Sequence, residues 1–318
     1  MTRLCVIVPC YNEEQVILSS AERLLKILNK MIEEKAIADN SAILFVNDGS
    51  RDNTWRLITQ LYEQDRHFCG INLSSNVGHQ NALFAGIDTV KEEYDASITI
   101  DADLQDDIEV MPQMVALFNE GRADIVYGVR SDRSSDSFFK RVSAQGFYKV
   151  MKLLGVETVY NHADYRLMSK RAMKQLTLYK ERNLFLRGIV PKIGYPTATV
   201  SYSRKKRDAG QSKYPLKKML SFAWDGITSL SIKPITLIMG LGIAVMVIAL
   251  ISFIYTLISF FCGRTISGWP SLMISIWFLG GLQLFAIGII GQYVGKTYIE
   301  SKERPRYCVE EYLKHNED

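Results

Sequence analysis

Two stretches without a charged side chain dominate the last third of the chain: 30 residues separate Lys233 from Arg264, and 31 separate Arg264 from Lys296. A helix needs roughly 20 apolar residues to cross about 30 Å of hydrocarbon, so each stretch can span a bilayer with room for tilt. Two transmembrane helices are therefore expected, over about 234–261 and 270–294. The rest of the chain is ordinary. With 38 Lys+Arg against 34 Asp+Glu in 318 residues and 47% hydrophobic content, disordered, collagenous and disulfide-scaffold classes are excluded. Four segments follow: a soluble domain at 1–203, a basic juxtamembrane segment at 204–231, the paired spans at 232–296 and a tail at 297–318.

Charge placement predicts the orientation. Arg204 to Lys218 carries seven basic residues and one acid, Lys296 to Arg306 carries four basic and two acidic, and the loop between the spans has only Arg264. Basic flanks stay inside, so both termini are expected in the cytoplasm. The apolar run Leu4 to Pro9 is too short for a signal-peptide core and leads straight into polar residues, so no cleaved leader is expected. Five scattered cysteines, Cys5, Cys10, Cys69, Cys262 and Cys308, have no C-x-x-C pair and read as free thiols in a reducing compartment. Arg204 to Ser221 is basic and then amphipathic. A helix lying in the membrane interface would put Lys217 and Lys218 at the headgroups and Met219, Leu220 and Phe222 in the boundary.

The first 130 residues alternate short β-branched runs with helical periodicity, as in a parallel sheet wound by crossover helices. Strands are expected at Leu4 to Pro9, Ala42 to Asn47, Gly70 to Leu73, Ser97 to Ile100 and Asp124 to Gly128. Leu18, Leu24, Leu25, Leu28 and Ile32 recur at helical spacing between the first two, and Gln80 to Lys91 behaves likewise later. Ser131 to Ser143 reads as a polar loop, and Phe147 to Ser203 completes the soluble domain. Polar motifs follow the strands. Ligands of open α/β sheets bind at the carboxyl ends of strands, so Tyr11-Asn12-Glu13, Asp48-Gly49-Ser50 and Asp101-Ala102-Asp103 should converge on one crevice.

In extended chain, Asp101, Asp103 and Gln105 would project from one side, a row of hard oxygen donors suited to Mg2+ or Mn2+ shared with substrate phosphates. Such a triplet alone is better explained by a helix cap, a role expected of Asp106 or Asp107 before Ile108. Asp48 and Glu13 at the same sheet edge strengthen the cation reading, because crowded carboxylates repel. Asn47-Asp48-Gly49 should turn sharply at the glycine and leave Asp48 able to accept hydrogen bonds from a base or ribose. Pro9, Tyr11 and Glu13 combine a strand end, an aromatic for stacking and a helix start.

Together, Val8-Pro9-Cys10-Tyr11-Asn12-Glu13-Glu14, Val46-Asn47-Asp48-Gly49-Ser50, Asn76 to Leu83 and Asp101 to Asp106 resemble the ordered motifs of family 2 inverting glycosyltransferases. Ala163 to Met168, Arg182 to Gly188 and the tail from Gly291 to Tyr307 resemble one branch, the polyprenyl-phosphate glycosyltransferases, which includes bactoprenol glucosyltransferases and dolichyl-phosphate mannose synthases. The resemblance implies a GT-A-type, Rossmann-like α/β domain followed by an interfacial amphipathic helix and two transmembrane helices. It implies that Pro9, Tyr11, Glu13, Asp48 and Asp101 hold the nucleotide, that Asp101, Asp103 and Gln105 surround Mg2+ or Mn2+, and that Asp103 and Asp164 are catalytic. The position of Asp164 is often proposed as the base. A phosphate monoester has a second pKa of about 6, however, so a polyprenyl phosphate is already an anionic nucleophile, and Asp164 could instead orient sugar hydroxyls or pair with Arg166.

Bringing a lipid phosphate up to a diphosphate needs positive charge. Arg130 is the first candidate, with Arg141, Arg204, Arg207 and Lys213 behind it; for the basic run, a positive-inside flank is an equal explanation. Gly210 to Tyr214 resembles the family's acceptor loop, whereas Gln292 and Lys296 depart from the common Glu and Arg. His79 reads as a surface or packing residue. The expected partners are a UDP-sugar, undecaprenyl phosphate and membrane lipids, and no nucleic acid. The resemblance puts glucose first and N-acetylglucosamine next, in a bacterial plasma membrane, upstream of a flippase and an extracytoplasmic glycosyltransferase. Glycines at 240, 242, 280, 281, 288 and 291 allow close helix packing, so a homo-oligomer such as a tetramer is compatible. Two rivals stay open at this stage. A processive polysaccharide synthase lacks support because no Q-x-x-R-W motif is present, and a non-catalytic sensor or scaffold is opposed only by the intact acids at 101 and 103.

Overall fold

A computed structural model describes residues 1–130, 162–182, 185–203, 233–261 and 268–315. Strand β1 (Leu4–Cys10) and β2 (Ala42–Asn47) are buried along their whole length. That explains why they read as unbroken apolar runs rather than alternating ones: both sheet faces are covered. β1 pairs in parallel with β2 and with β4 (Ala96–Thr99), and β2 pairs in parallel with β3 (Phe68–Leu73). Helices α1 (Ile17–Glu33), α2 (Thr54–Gln64) and α3 (His79–Val90) make the crossovers. The buried stripe of α1 runs through Ile17, Ala21, Leu24, Leu28 and Met31. It is rotated from the expected one, because Leu18 is 49% exposed while Ile17 and Met31 face the sheet.

The strands of the first 130 residues run parallel, as expected, but the complete sheet is mixed because two strands from later in the chain join it antiparallel. After α4 (Met111–Asn119) come β5 (Ile125–Arg130), β6 (His162–Ser169), helices α5 (Lys170–Thr177) and α6 (Leu186–Ile189), and β7 (Thr197–Tyr202). The strand order is β7-β5-β6-β4-β1-β2-β3, completed by β8 (Val309–Leu313) beyond β3. β6 lies between β4 and β5, antiparallel to both, and β8 is antiparallel to β3. Local periodicity cannot report such partners, since a strand's direction in the sheet is decided by its neighbours and not by its own alternation. The consequence for chemistry is direct. In the β4–β6 register Thr99 faces Arg166, so two residues further on Asp101 lies across from Asp164.

The chain divides into two units: the sheet with its helices, rejoined by the segment from Arg304 onward, and a second unit holding the long helices. In the first, the tail is fastened at several points. Ser74 N–H donates to Cys308 O at 3.0 Å, Arg306 lies 4.3 Å over the Phe84 ring, Tyr307 donates to Asp88, and His315 stacks on Tyr62 at 4.1 Å. Residues that read from sequence only as a tail thus end in a strand of the sheet. In the second unit, α7 (Lys233–Phe261) and α8 (Trp269–Ser301) have 29 and 33 residues. Among the described residues one helical segment, Phe278–Ser301, is long and apolar enough to cross a membrane, and Lys233–Val245 is a shorter apolar stretch. The expected pair of spans is matched only in part. The juxtamembrane segment 204–231, the polar loop at 131–143, Arg264 and Cys262 lie outside the described residues; Cys5, Cys10, Cys69 and Cys308 are free thiols.

Candidate active site

At the β1–β2 end, two loops are stitched together by main-chain N–H groups donating to side-chain oxygens. Asn12 N–H donates to Ser50 Oγ at 3.0 Å, Arg51 N–H to Asn12 Oδ1 at 2.9 Å, Glu13 N–H to Thr54 Oγ1 at 2.9 Å and Glu14 N–H to Asp52 Oδ2 at 3.2 Å. Asn12 adopts the left-handed conformation, φ 55°, to make this turn. Tyr11 is left 44% exposed, whereas Pro9 is buried inside β1. Asp48 is buried, and its two carboxylate oxygens accept from Val77 N–H at 2.7 Å and Gly78 N–H at 3.0 Å. Burial pushes its carboxyl above the ordinary range, and these two amides work against that push. Gly49 turns as expected: its φ is +60°, and a side chain there would run into the Asn76 nitrogen at 2.5 Å.

The end of β4 does not continue as extended chain. Leu104 N–H closes on Asp101 O at 3.1 Å with Leu104 itself at φ 43°, so the strand alternation invoked for Asp101, Asp103 and Gln105 does not apply. A turn brings the acids together instead. Asp103 Oδ1 accepts from Gln105 N–H at 3.3 Å, and Gln105 is buried. Asp107 caps the following 3-10 turn, accepting from Glu109 N–H, as one of the two expected capping acids. Asp101 Oδ1 is buried without a hydrogen-bond donor, and His79 Nε2 is 3.4 Å from it. Burial raises the Asp101 carboxyl, His79 lowers it, and the neighbouring Asp164, Asp106 and Asp103 raise it further.

Asp164, 12% exposed, is surrounded by cations. Arg166 Nη2 lies 2.7 Å from its Oδ1, Arg187 Nη2 3.0 Å and His79 Nε2 3.7 Å from its Oδ2. Against the opposing effect of burial, Arg187, His79 and Arg166 hold this carboxyl well below the usual range. Arg130 pairs with buried Asp106, through Nε at 3.2 Å and Nη2 at 3.1 Å. The structure therefore brings Asp101, Asp103 and Asp164 to one sheet edge, with Arg166, Arg187 and His79 among them. Arg187 and His79 carried no site role in the sequence reading; the only signal for either was membership in a motif. His79 sits at the first position of α3, its imidazole between Asp101 and Asp164 rather than packed in a core. Arg141, Arg204, Arg207 and Lys213 lie outside the described residues. Among the described residues no group of three or more His, Cys, Asp or Glu side chains is arranged to hold a metal.

A mixed α/β sheet with acids and arginines gathered where its parallel strands end fits a GT-A-like α/β fold. The sequence profile of glycosyl transferase family 2 matches residues 5–177, and the chain belongs to that family: it is a glycosyltransferase. It is 51% identical over 96% of its length to the uncharacterized glycosyltransferase YkoT of Bacillus subtilis, covering 91% of that protein. Identity is 38% to the prophage bactoprenol glucosyl transferase homolog of Escherichia coli, over 98% of this chain and 100% of the relative. It is 39% to the bactoprenol glucosyl transferase of Shigella phage SfV, over 96% and 98%.

Proposed function

We propose that the enzyme transfers a hexose, glucose first and N-acetylglucosamine next, from a UDP-sugar to undecaprenyl phosphate with inversion. The observation that carries the acceptor is near-complete alignment with relatives named bactoprenol glucosyl transferase, tails and apolar segments included. The donor half rests on the crevice: exposed Tyr11 to stack the base, with Pro9, Glu13 and Asp48 shaping its floor. A phosphate oxygen of the lipid attacks the anomeric carbon. The bond from that carbon to the UDP oxygen breaks, and its electron pair leaves with UDP. A dianionic acceptor needs no proton removed, and the leaving UDP gains one negative charge.

The acids at this edge fit a divalent cation. Asp101 has a buried oxygen without a donor, and two carboxylates together with substrate phosphates are a usual Mg2+ or Mn2+ set. Asp101 and Asp103 would hold it, with Gln105 behind them, and when bound it would offset the charge developing on the diphosphate. Arg130, Arg141, Arg204, Arg207 and Lys213 are the proposed cations for the lipid phosphate.

The tail bears on topology. β8 is hydrogen-bonded into the same sheet as β1 to β7, which supports an even number of membrane crossings by the chain between them. One span at Phe278–Ser301 then calls for a second, which α7 can supply. This supports a two-span plasma-membrane protein with the sheet and both ends in the cytoplasm, where the UDP-sugar is. A homo-oligomer such as a tetramer, a flippase and an extracytoplasmic glycosyltransferase complete the reading. The test is transfer of label from a panel of UDP-sugars into organic-extractable lipid by purified enzyme with undecaprenyl phosphate and Mg2+ or Mn2+. Label is expected from one donor and is lost with Asp103→Asn or chelator; label from none, while UDP still binds, refutes the proposal.

A further inference from the structure

The surroundings of Asp164 do not suit a proton acceptor. Oδ1 receives Arg166 Nη2 at 2.7 Å and Arg187 Nε at 3.3 Å, and Oδ2 receives Arg187 Nη2 at 3.0 Å. A carboxylate held by two guanidinium groups takes up a proton poorly, and general-base efficiency falls as basicity falls. The two arginines are not equivalent. Arg166 belongs to β6 itself, between Thr99 and Tyr127 in the sheet register, and its side chain is 2% exposed. Arg187 comes from α6, a different element, and its side chain is 37% exposed.

What sets Arg187 in place is visible from both ends. Leu186 N–H donates to Gln80 Oε1 at 2.8 Å, tying α6 to the first turn of α3 beside His79, while the Nε–Nη2 edge of Arg187 is docked on Asp164. A guanidinium fixed along one edge keeps its planar fork in a single orientation, the arrangement best matched to a phosphate. The position is also where charge is needed. Asp101, Asp103 and Asp164 gather at this edge, and two phosphorylated substrates add several more negative charges there.

We propose that Asp164 is a positioning residue and that Arg187, which it presents at the crevice, makes direct contact with a phosphate group of the bound substrates. This rests on the lipid-phosphate transferase reading above. The phosphate is either the donor's diphosphate or the acceptor's monophosphate, and the experiment separates them.

Full-length enzyme and its Arg187→Ala, Arg187→Lys, Asp164→Asn and double Arg187→Ala/Asp164→Asn variants are compared in the labelled-lipid assay. UDP and inorganic phosphate binding are measured by calorimetry. Removing one such charge contact is expected to lower kcat/KM by about 10²–10³-fold. Millimolar guanidinium should restore part of the activity of Arg187→Ala, and Lys should not replace Arg, because an ammonium cannot reproduce the fork. Asp164→Asn should lose about as much as Arg187→Ala, and the double variant no more than either. Weaker UDP binding in Arg187→Ala assigns the contact to the donor. A raised KM for undecaprenyl phosphate with UDP binding unchanged assigns it to the acceptor.

Two results overturn the proposal: Arg187→Ala within threefold of wild type, or losses that multiply in the double variant. If the wild type labels no lipid, the transferase reading fails instead. The calorimetric arm then decides this inference on its own, since UDP or inorganic phosphate must still bind Arg187→Ala more weakly. Arg187→Lys that melts with the wild type guards against loss through misfolding.

Discussion

The two ends of the crevice hold their acids in opposite ways. At the β2 end, Asp48 is held by the backbone amides of Val77 and Gly78. At the β4–β6 end, Asp164 is held by the side chains of Arg166 and Arg187, and Asp101 keeps one buried oxygen without a donor. Amides of a folded loop cannot leave, so the first arrangement is fixed before any ligand arrives. Side-chain ion pairs can redistribute when a ligand brings charge of its own. The difference separates a scaffold end from a chemical end: under the proposed function a nucleotide would be received on a rigid floor, and the reacting phosphates would meet groups that can change partners.

That contrast can be broken by substitution. The largest effect is expected from Asp101→Asn, which keeps the shape and removes the charge: transfer to lipid should fall by about 10²–10³-fold with little change in thermal stability. Activity within tenfold of wild type would move the reacting centre away from this edge. Asp48→Ala should instead act on the stability of the loop, with donor binding weakened alongside it. Losing the acceptor of two amides costs about 2 kcal/mol, so hydrogen exchange at Val77 and Gly78 should quicken on the order of 30-fold. Unchanged exchange would mean the loop holds itself.

The smallest effect is one of pH. The Asp164 carboxyl lies well below its ordinary 3.8 in the folded enzyme, so its ion pairs add stability above that value and lose it as pH falls through the lower, folded value. The melting temperature of wild type should therefore exceed that of Asp164→Asn by a steady margin in weak acid, narrowing below about 3.8 and again above about 6.5, as His79, whose folded pKa this carboxylate raises against the effect of burial, loses its proton. A margin that shrank between pH 5 and 6 would contradict the pairing.

Much of the scaffold end was legible in the sequence, and less of the chemical end. β1 and β2 announce themselves because strands buried on both faces are unbroken apolar runs, and Gly49 marks its own turn because only glycine fits against Asn76. Of the partners of Asp164, Arg166 was legible, two residues away in the same strand, and it does pair with the carboxylate at 2.7 Å, whereas Arg187 was hidden. Arg187 meets it across 23 residues and from another element, and a guanidinium reaching over that gap leaves no periodic trace. The turn at Leu104 was hidden as well. A non-glycine residue at positive φ is disfavoured by local sterics, and the hydrogen bond from Leu104 N–H to Asp101 O belongs to the folded turn and not to any residue preference. The mixed sheet escaped for the same reason, since β6 takes its direction from Thr99 and Tyr127, which it meets only in the folded state.

The strand that seals the β3 edge has a further consequence for biogenesis. Asn72 Nδ2 donates to Glu310 Oε2 across 238 residues of chain. At 5–20 residues per second the ribosome needs roughly 12–48 s between those two residues, a time in which β3 is exposed as a bare hydrogen-bonding edge. Both long apolar helices are made within that interval. The domain therefore waits with one side of its sheet open while those helices emerge, and a nascent chain stalled before β8 presents a ready template for aggregation.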